Sequence, residues 1–193
     1  MKEPLLYKIV CPPLTAIFKA IYKPVIVGKR YIPEDGRIIL AGNHTNILDC
    51  ILVACATKRC VHYLAKDELM KGAKKYIFGS LGIIPVNRRT KDKAALENAI
   101  NVLNDEKVIG IFPEGTINRT KDIIMPFKFG AVKMSQEAQA KIVPFAITGK
   151  YKPFERSVKI QFMEPVDPCE DLEAANNNLM QTVTEKLLAE KKG

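Results

Sequence analysis

Five short apolar runs limit the folds that this sequence can adopt. They occupy residues 37–41, 60–65, 107–112, 141–148 and 157–162. Each run has the length of a strand and is too short for an ordinary helix. Segments with helical spacing of apolar residues alternate with these runs, at residues 47–57, 91–104, 131–137 and 171–192. The alternation predicts one α/β domain whose loops at the strand ends carry the functional residues.

The charge of the chain restricts the partners that it can attract. The 193 residues carry a formal net charge of +9, which favours polyanions such as nucleic acid, an anionic bilayer, an acidic carrier protein or a phosphorylated substrate. The Lys and Arg residues are scattered, and no basic motif is interleaved with aromatic residues, which argues against nucleic acid. We therefore expect no nucleic-acid partner.

The cysteines indicate neither disulfides nor a metal site. The chain has 5 cysteines, an odd number, and none forms a C-x-x-C pair. This usage predicts a reducing, cytosolic environment and no bound metal. A thiol nucleophile is the alternative, although a cysteine within an apolar helix is more often a small core residue.

Residues 1–30 predict a basic, amphipathic segment in two helical pieces. Its apolar residues at helical spacing are Leu5, Leu6, Ile9, Val10, Leu14, Ile17, Phe18 and Ile21. Pro12 and Pro13 interrupt the pattern, and neither piece reaches the ~20 apolar residues that span a bilayer. The segment either lies in a membrane interface or packs on the protein's own core. We predict a membrane-association segment at 1–30 and a domain at 31–193.

Residues 43–49 place a histidine and a carboxylate at a strand-to-helix transition. His44 and Asp49 lie five positions apart, just after the apolar run 38–40. The polar cap formers at residues 43–46 precede the apolar stretch 47–56, in which Asp49 lies. Two interpretations are open: a general base oriented by an acid, or a helix-capping cluster with one satisfied histidine. The other histidine, His62, lies inside a predicted strand and is expected to be structural.

Two further strand ends carry polar residues. At residues 112–116 a glycine turn offers backbone N–H groups at Gly115, the Glu114 carboxylate and the Thr116 hydroxyl, and Arg119 follows. Lys66 ends another predicted strand. An ordinary polar turn is the alternative interpretation of residues 112–116.

Two prolines and a glycine predict irregular strands. Gly82 and Pro85 suggest close backbone approach and argue against an ordinary central strand, while Pro144 suggests an edge position or an irregularity. Arg88 and Arg89 follow directly. They are either a phosphate-binding pair or a solvated chain end.

Four stretches in this order resemble the glycerolipid acyltransferase family, specifically the PlsC-type 1-acyl-glycerol-3-phosphate acyltransferases. Residues 43–49 resemble its N-H-x-x-x-x-D block, residues 82–88 its glycine-to-arginine block, residues 112–116 its F-P-E-G-T block and residues 142–146 its proline-containing block. Lys66 and residues 127–131 also lie in matching places. The resemblance covers about residues 35–150.

The chain departs from the family in two respects. Many relatives carry an arginine directly after the E-G-T block, where this chain has Ile117, although Arg119 matches a second basic position. The N-terminal segment is shorter and less apolar than in relatives with transmembrane helices. The resemblance therefore implies a peripheral or monotopic protein at the cytoplasmic face of the cell membrane, bound to an anionic membrane surface.

The resemblance implies a fold and a reaction. The fold is a single domain with a mixed central sheet flanked by helices and an N-terminal amphipathic helical segment. The reaction transfers a fatty acyl group from acyl-ACP or acyl-CoA to the sn-2 hydroxyl of lysophosphatidic acid, which produces phosphatidic acid in phospholipid biosynthesis. No cofactor or metal is implied. The acyl donor can be an acyl carrier protein or a coenzyme A thioester.

The resemblance also implies roles for individual residues. His44 is the general base, and Asp49 orients it, so that transfer is direct and forms no covalent acyl-enzyme. Lys66 and Arg88 bind the substrate phosphate, with Arg119 as a weaker third. The substrate-binding set also includes Glu114, Gly115 and Thr116. The oxyanion donors are backbone N–H groups near residues 84–85 or 115–116.

Two alternatives to this activity follow from the same residues. An acyltransferase that acts on glycerol 3-phosphate or on another lysolipid would share the catalytic block. A basic, non-catalytic membrane-binding protein would share the charge and the N-terminal segment.

Overall fold

The computed structural model describes residues 4–66, 82–86 and 93–192. Its helices are α1 (Leu5–Tyr22), α2 (Asp49–Ala54), α3 (Lys93–Asn104), α4 (Gly130–Ala138) and α5 (Leu172–Lys192). Its strands are β1 (Val25–Val27), β2 (Ile38–Gly42), β3 (Val61–Lys66), β4 (Ile84–Val86), β5 (Val108–Ile111), β6 (Lys141–Gly149) and β7 (Val158–Phe162). A single turn of 3-10 helix at Lys29–Tyr31 follows β1.

The strands form one mixed sheet in the order β1-β7-β6-β2-β5-β3-β4. Strands β6 and β7 are antiparallel, and all other neighbours are parallel. Consequently β2, β3, β4, β5 and β6 run in one direction, and their carboxyl ends lie at the same edge of the sheet. The predicted α/β domain with a mixed central sheet is confirmed.

Two hydrophobic cores cover the two faces of this sheet. In β2, Ile38 and Leu40 belong to the core that includes Phe18 of α1 and Leu52 of α2. Ile39 and Ala41 point to the other core, which helices α3, α4 and α5 cover. Successive side chains of a strand alternate between faces, so a strand with a helix layer on each side is apolar throughout. This explains why β2 is buried at all five positions.

Helix α1 is continuous through Pro12 and Pro13, so the prediction of two helical pieces was wrong. Each proline removes one backbone hydrogen bond, but both prolines lie on the exposed side of the helix, where water can bind the released carbonyl groups. Packing of Phe18, which is 4% exposed, fixes the helix against the domain. No helix in the described ranges has the length and apolarity needed to cross a bilayer.

Helix α2 is shorter than the predicted helix at 47–57 and begins only at Asp49. The Asp49 carboxylate accepts hydrogen bonds from the backbone N–H groups of Thr45 and Asn46, which holds the preceding residues in a turn. Side chains of this type compete with helical hydrogen bonding. A helix that is nearly all apolar is also expected to be buried, and this expectation fails at Ile47, which is 76% exposed.

Pro144 lies in β6, which is an interior strand, so its predicted edge position was wrong. Its carbonyl accepts a hydrogen bond from the N–H of Met163, just beyond β7. The N–H and C=O groups of a strand residue point to the same side, so an N–H at position 144 would point toward the chain just beyond β7. The β6–β7 pairing has already ended there, so proline removes no hydrogen bond of that pairing. The last paired residues are Phe145 and Phe162.

The remaining differences are local. Strand β1, which pairs with β7, was not predicted because its three residues are too few for a periodic pattern. The pattern at 171–192 also predicts that Leu179, Val183, Leu187 and Leu188 dock on the domain. The first three are buried in α5, but Leu188 is 45% exposed because it points about 100° away from Leu187. The sequence also suggests that residues 66–69 begin a short helical piece. Lys66 instead ends β3, and residues 67–69 lie outside the described residues.

His62 has the structural position that the sequence predicts. Its side chain is 3% exposed, and its Nδ1 lies 2.9 Å from the carbonyl oxygen of Gly82. Gly82 has φ +79°, and a Cβ atom there would lie 2.6 Å from Nδ1 of His62. The predicted close backbone approach at Gly82 is therefore present, and it anchors the segment that leads into β4.

Candidate active site

The loop that carries His44 starts from a buried amide anchor. Asn43 directly follows β2, and its side chain is 4% exposed. Its Nδ2 donates to the carbonyl of Ile147 over 2.9 Å, and its Oδ1 accepts from the N–H of Ile147 over 2.7 Å. This two-way bond ties the loop after β2 to β6, so the direction in which His44 leaves the sheet is fixed.

His44 and Asp49 form a direct contact. Nδ1 of His44 lies 2.9 Å from Oδ2 of Asp49, and the two side chains are 16% and 0% exposed. The same Oδ2 accepts the N–H groups of Thr45 and Asn46, over 2.6 and 2.8 Å. A fully buried carboxylate needs such donors, because burial of an unpaired charge is unfavourable. The turn therefore stabilises the acid while it orients the imidazole.

The Oδ1 atom of Asp49 has its own donors. It accepts the hydroxyl of Thr45 over 3.2 Å and the hydroxyl of Tyr151 in a short hydrogen bond. Tyr151 follows β6, at the same edge of the sheet as His44. Both carboxylate oxygens are thus engaged.

An aromatic ring holds the imidazole from one face. The rings of His44 and Phe112 stack with their centroids 4.0 Å apart and their planes 13° apart. Tyr63 and Phe145 pack around Phe112 with centroids 6.2 and 5.9 Å away. If the neutral imidazole donates its Nδ1 proton to Asp49, its Nε2 carries the lone pair of an acceptor. In that tautomer the arrangement leaves Nε2 as a proton acceptor.

Glu114 connects the loop after β5 to the loop after β2. Its side chain is 3% exposed, and Oε1 accepts the N–H of His44 over 2.7 Å, while Oε2 accepts the N–H of Met125 over 2.9 Å. Burial raises the pKa of Glu114 above its ordinary value, and the two N–H donors oppose that rise. The loops are locked further by Asn118, whose N–H donates to the carbonyl of His44 over 2.8 Å.

The glycine turn after Glu114 lies against a lysine. Gly115 has φ +74°, and a Cβ atom there would lie 2.8 Å from Nζ of Lys128. Glycine adopts this left-handed backbone without strain, whereas a side chain here would be strained and would displace the end of the Lys128 side chain. Thr116 and Arg119 are exposed beside this turn. The structure therefore places Lys128, which the sequence did not single out as a site residue, next to the predicted substrate-binding turn.

One oxyanion candidate is already engaged. The N–H of Gly115 donates to the carbonyl of Phe112 over 2.9 Å. Of the 115–116 pair, the N–H of Thr116 is therefore the remaining candidate. At the other proposed place, Ile84 belongs to β4, and Pro85 has no N–H to donate.

The predicted phosphate ligands fall at the limit of the described residues. Lys66 is the last residue of β3, so its backbone lies at the same edge of the sheet as His44. Its side chain lies outside the described part of the chain. Arg88 lies outside the described residues, as does Arg89. Strand β4 ends at Val86, two residues before Arg88, and is parallel to β3.

A cavity of about 330 Å³ adjoins the candidate site. His44, Thr45 and Glu114 line it on one side. Thr148 and Gly149 of β6, together with Leu187 and Glu190 of α5, line it elsewhere. The His44–Asp49 pair therefore lies beside a space that can hold part of a small substrate.

Sequence reasoning missed several residues that hold the pair. Phe112 lay in a predicted strand and a motif, and no local signal showed that it stacks on His44. Tyr151 carried a weak signal, because it closely follows the predicted strand at 141–148 and the loops at strand ends were expected to carry the functional residues. In residues 4–66, 82–86 and 93–192, no cluster of three or more His, Cys, Asp or Glu side chains is arranged to hold a metal ion.

Comparison with known proteins assigns the chain to a family. A family model described as Acyltransferase matches residues 23–148. The 1-acyl-sn-glycerol-3-phosphate acyltransferase of Borreliella burgdorferi is 34% identical over 128 residues, which are 65% of this chain and 51% of that protein. The enzyme of the same name from Bacillus subtilis is 32% identical over 128 residues, 64% of this chain and 62% of that protein. The chain thus spans between half and two thirds of the length of these relatives.

A solved structure agrees with the fold. The crystal structure of PlsC, the 1-acyl-sn-glycerophosphate (LPA) acyltransferase of Thermotoga maritima, matches with a TM-score of 0.78 at 23% identity and covers 96% of this chain and 81% of that chain. At this identity the match concerns the fold alone. The family model covers well over half of the chain, so the resemblance seen in the motifs is confirmed and the chain belongs to the acyltransferase family.

Proposed function

We propose that this protein transfers a fatty acyl group from a thioester to the sn-2 hydroxyl of 1-acyl-glycerol 3-phosphate and so produces phosphatidic acid. The observation that carries the proposal is the His44–Asp49 hydrogen bond beside the cavity, in a chain of the acyltransferase family. The names of the relatives support the choice of lysophosphatidic acid as the acceptor.

His44 acts as the general base in this proposal. Nε2 of the neutral imidazole takes the proton of the acceptor hydroxyl while that oxygen attacks the thioester carbonyl. Asp49 stabilises the imidazolium that forms and keeps the ring in position, as the acid does in a Ser-His-Asp site. The new ester C–O bond forms, the C–S bond breaks, and the imidazolium returns the proton to the thiolate that leaves. No covalent acyl-enzyme is needed.

The oxyanion of the tetrahedral intermediate requires a donor near the carbonyl. The N–H of Thr116 is our candidate, because its neighbour Gly115 already donates to Phe112. Glu114 would act mainly through the loops, since its oxygens accept the N–H groups of His44 and Met125. A bond from Glu114 to the glycerol backbone is compatible with its place in the cavity wall.

Cationic side chains would bind the substrate phosphate. We assign Lys66 and Arg88 to it, with Arg119 as a weaker third, because a phosphomonoester carries nearly two negative charges. Lys128 is a further candidate, since its ammonium group lies against Gly115. The acyl donor would be acyl-ACP or acyl-CoA, and both are polyanions that suit a net charge of +9. No metal or cofactor takes part in the proposed reaction.

Helix α1 would attach the protein to an anionic membrane surface. Ile9, Leu14 and Ile17 are 62%, 42% and 59% exposed. At about 100° per residue they lie within about 140° of the helix circumference, with Ile9 opposite Phe18. Lys8 and Lys19 are exposed on the flank. An apolar stripe flanked by lysines is typical of helices that lie in the interface of a bilayer. We therefore propose a peripheral or monotopic protein at the cytoplasmic face.

The test is an acyl-transfer assay with purified protein. Lysophosphatidic acid and glycerol 3-phosphate are offered in parallel, each with acyl-CoA and with acyl-ACP, and thiol release and lipid product are both measured. We expect turnover with lysophosphatidic acid, and His44→Ala should lower it by at least about a hundredfold while lipid binding survives. Turnover with glycerol 3-phosphate alone would refute the acceptor, and an active His44→Ala variant would refute the base.

A further inference from the structure

The side chain of Tyr151 bridges two parts of the molecule that are distant in sequence. Its hydroxyl donates to Oδ1 of Asp49, 102 residues away. Its ring packs edge-on against two aromatic residues of α1, with centroids 5.7 Å from Tyr22 and 6.1 Å from Phe18. Those two rings contact each other at 4.9 Å. A continuous set of contacts therefore joins α1 to the acid of the His44–Asp49 pair.

The Tyr151 hydroxyl binds Oδ1 of Asp49, the carboxylate oxygen that receives no backbone hydrogen bond from the turn at residues 45–46. Backbone N–H groups and His44 all bind Oδ2 of Asp49. Oδ1 depends on side-chain hydroxyls, those of Tyr151 and Thr45. Because the two oxygens belong to one rigid, planar group, a donor at Oδ1 sets the rotation of the carboxylate and thus the direction in which Oδ2 faces the imidazole.

The phenol is suited to this task in its neutral form. Burial raises the pKa of Tyr151 above its ordinary value, and the neighbouring Asp49 carboxylate raises it further. The hydroxyl therefore keeps its proton and remains a donor throughout the working pH range. A hydrogen bond from this neutral hydroxyl to the charged carboxylate is stronger than one between two neutral groups.

We propose that Tyr151 is a positioning residue, whose hydroxyl fixes the Asp49 carboxylate and whose ring transmits the position of α1 to the His44–Asp49 pair. This inference rests on the proposed function of that pair as base and orienting acid. Tyr151 touches no reacting atom, so it acts through Asp49. A displacement of α1 would move the ring of Tyr151 and change the orientation of the imidazole.

The first test is a double-mutant cycle that combines Tyr151→Phe with Asp49→Asn. The phenylalanine keeps the ring and removes only the hydroxyl. We expect Tyr151→Phe to lower kcat about tenfold and to change KM for the lysolipid by less than about twofold, because the loss falls on the transition state. In the Asp49→Asn background the same substitution should change kcat by less than about twofold, since interacting residues are not additive.

Tyr31→Phe is the matched control. Tyr31 packs against the same core as Tyr151, but its hydroxyl bonds with Arg30. This variant should keep the kcat of the wild type. Equal losses from Tyr151→Phe in both backgrounds, or an unchanged kcat in the wild-type background, would overturn the inference. An active His44→Ala variant would instead overturn the proposed function, so the two failures are distinguishable.

The second test addresses the contact with α1. Phe18→Leu removes the aromatic neighbour but keeps an apolar side chain at a buried position. With detergent-dispersed lysolipid, which makes vesicle binding irrelevant, we expect kcat to fall by about threefold or more and the fall to disappear when Tyr151→Phe is also present. A fall of the same size in both backgrounds, at unchanged Tm, would show that α1 does not act through Tyr151.

Discussion

The carboxyl edge of the sheet and the outer side of α1 differ in which side chains they bury and which they expose. At the edge, the polar side chains of Asn43, Asp49 and Glu114 are buried, and each is hydrogen-bonded. On α1, the apolar side chains of Ile9 and Ile17 are largely exposed. Burial of the polar groups is tolerated because hydrogen bonds replace the water that they lose, whereas the exposed apolar groups of α1 remain in unfavourable contact with water.

The difference shows what each region does with its side chains. At the edge, long-range hydrogen bonds hold the loops in place, so that the imidazole of His44 keeps its position. The helix keeps an apolar surface that no other described residue covers, as the membrane attachment proposed above requires. Tyr151 is the point where the two regions meet.

The largest expected effect follows from removing the charge at the edge. Asp49→Asn keeps the shape of the side chain but cannot hold the imidazole in the same tautomer. We expect kcat to fall by about 10⁴, the loss that the corresponding Asp→Asn change causes in a Ser-His-Asp site. Steady-state acyl transfer measures the loss, and Tm measures the fold. A kcat within tenfold of the wild type would show that the acid is not needed.

A smaller effect is expected at the link between the two loops. Glu114→Gln replaces one accepting oxygen by an amide NH₂, which then faces the N–H of His44 or Met125. An unpaired buried donor costs about 1–3 kcal/mol, so the free energy of unfolding should fall by about that amount. Urea titration measures the fall. Asp122→Asn, at an exposed position, is the control and should leave stability unchanged.

The next prediction concerns α1. Ile9→Gln combined with Ile17→Gln should weaken binding to vesicles that contain phosphatidylglycerol by about tenfold, because apolar area is lost from the interface. Co-sedimentation measures binding, and kcat on detergent-dispersed substrate should stay the same. Leu188→Gln, which alters an exposed leucine of α5, is the matched control. Equal vesicle binding by both variants and the wild type would count against the anchor.

The smallest expected effect is a difference in alkylation rate, and it concerns Cys50 in α2 and Cys55, which directly follows α2. Burial raises the pKa of Cys50 to about 12 and that of Cys55 to about 11. At pH 8 both thiols are therefore protonated and should react with iodoacetamide more slowly than the exposed Cys169, because the thiolate is the nucleophile. Peptide mass spectrometry over time measures the rates. Similar rates at all three positions would show that these helices open readily.

Much of the architecture was predictable because it depends on local periodicity. The apolar runs at 107–112 and 141–148 became β5 and β6, and the pattern at 171–192 became α5. His44 and Asp49 were also predictable as a pair, since five residues in a single turn bring them together whatever the rest of the chain does. The prediction of a break at Pro12 and Pro13 was wrong because helix propensity reflects only the lost hydrogen bonds. It does not include the packing of Phe18, which stabilises α1 against the domain.

The sequence by itself determined the alternation of strands and helices and the turn that brings His44 to Asp49. Only the tertiary structure decided which distant groups hold that pair. Glu114 reaches the backbone of His44 across 70 positions, and Tyr151 reaches Asp49 across 102. These contacts depend on the register of parallel strands, which places the ends of β2, β5 and β6 at one edge. Register results from the packing of both faces of the sheet, which no local stretch of sequence encodes.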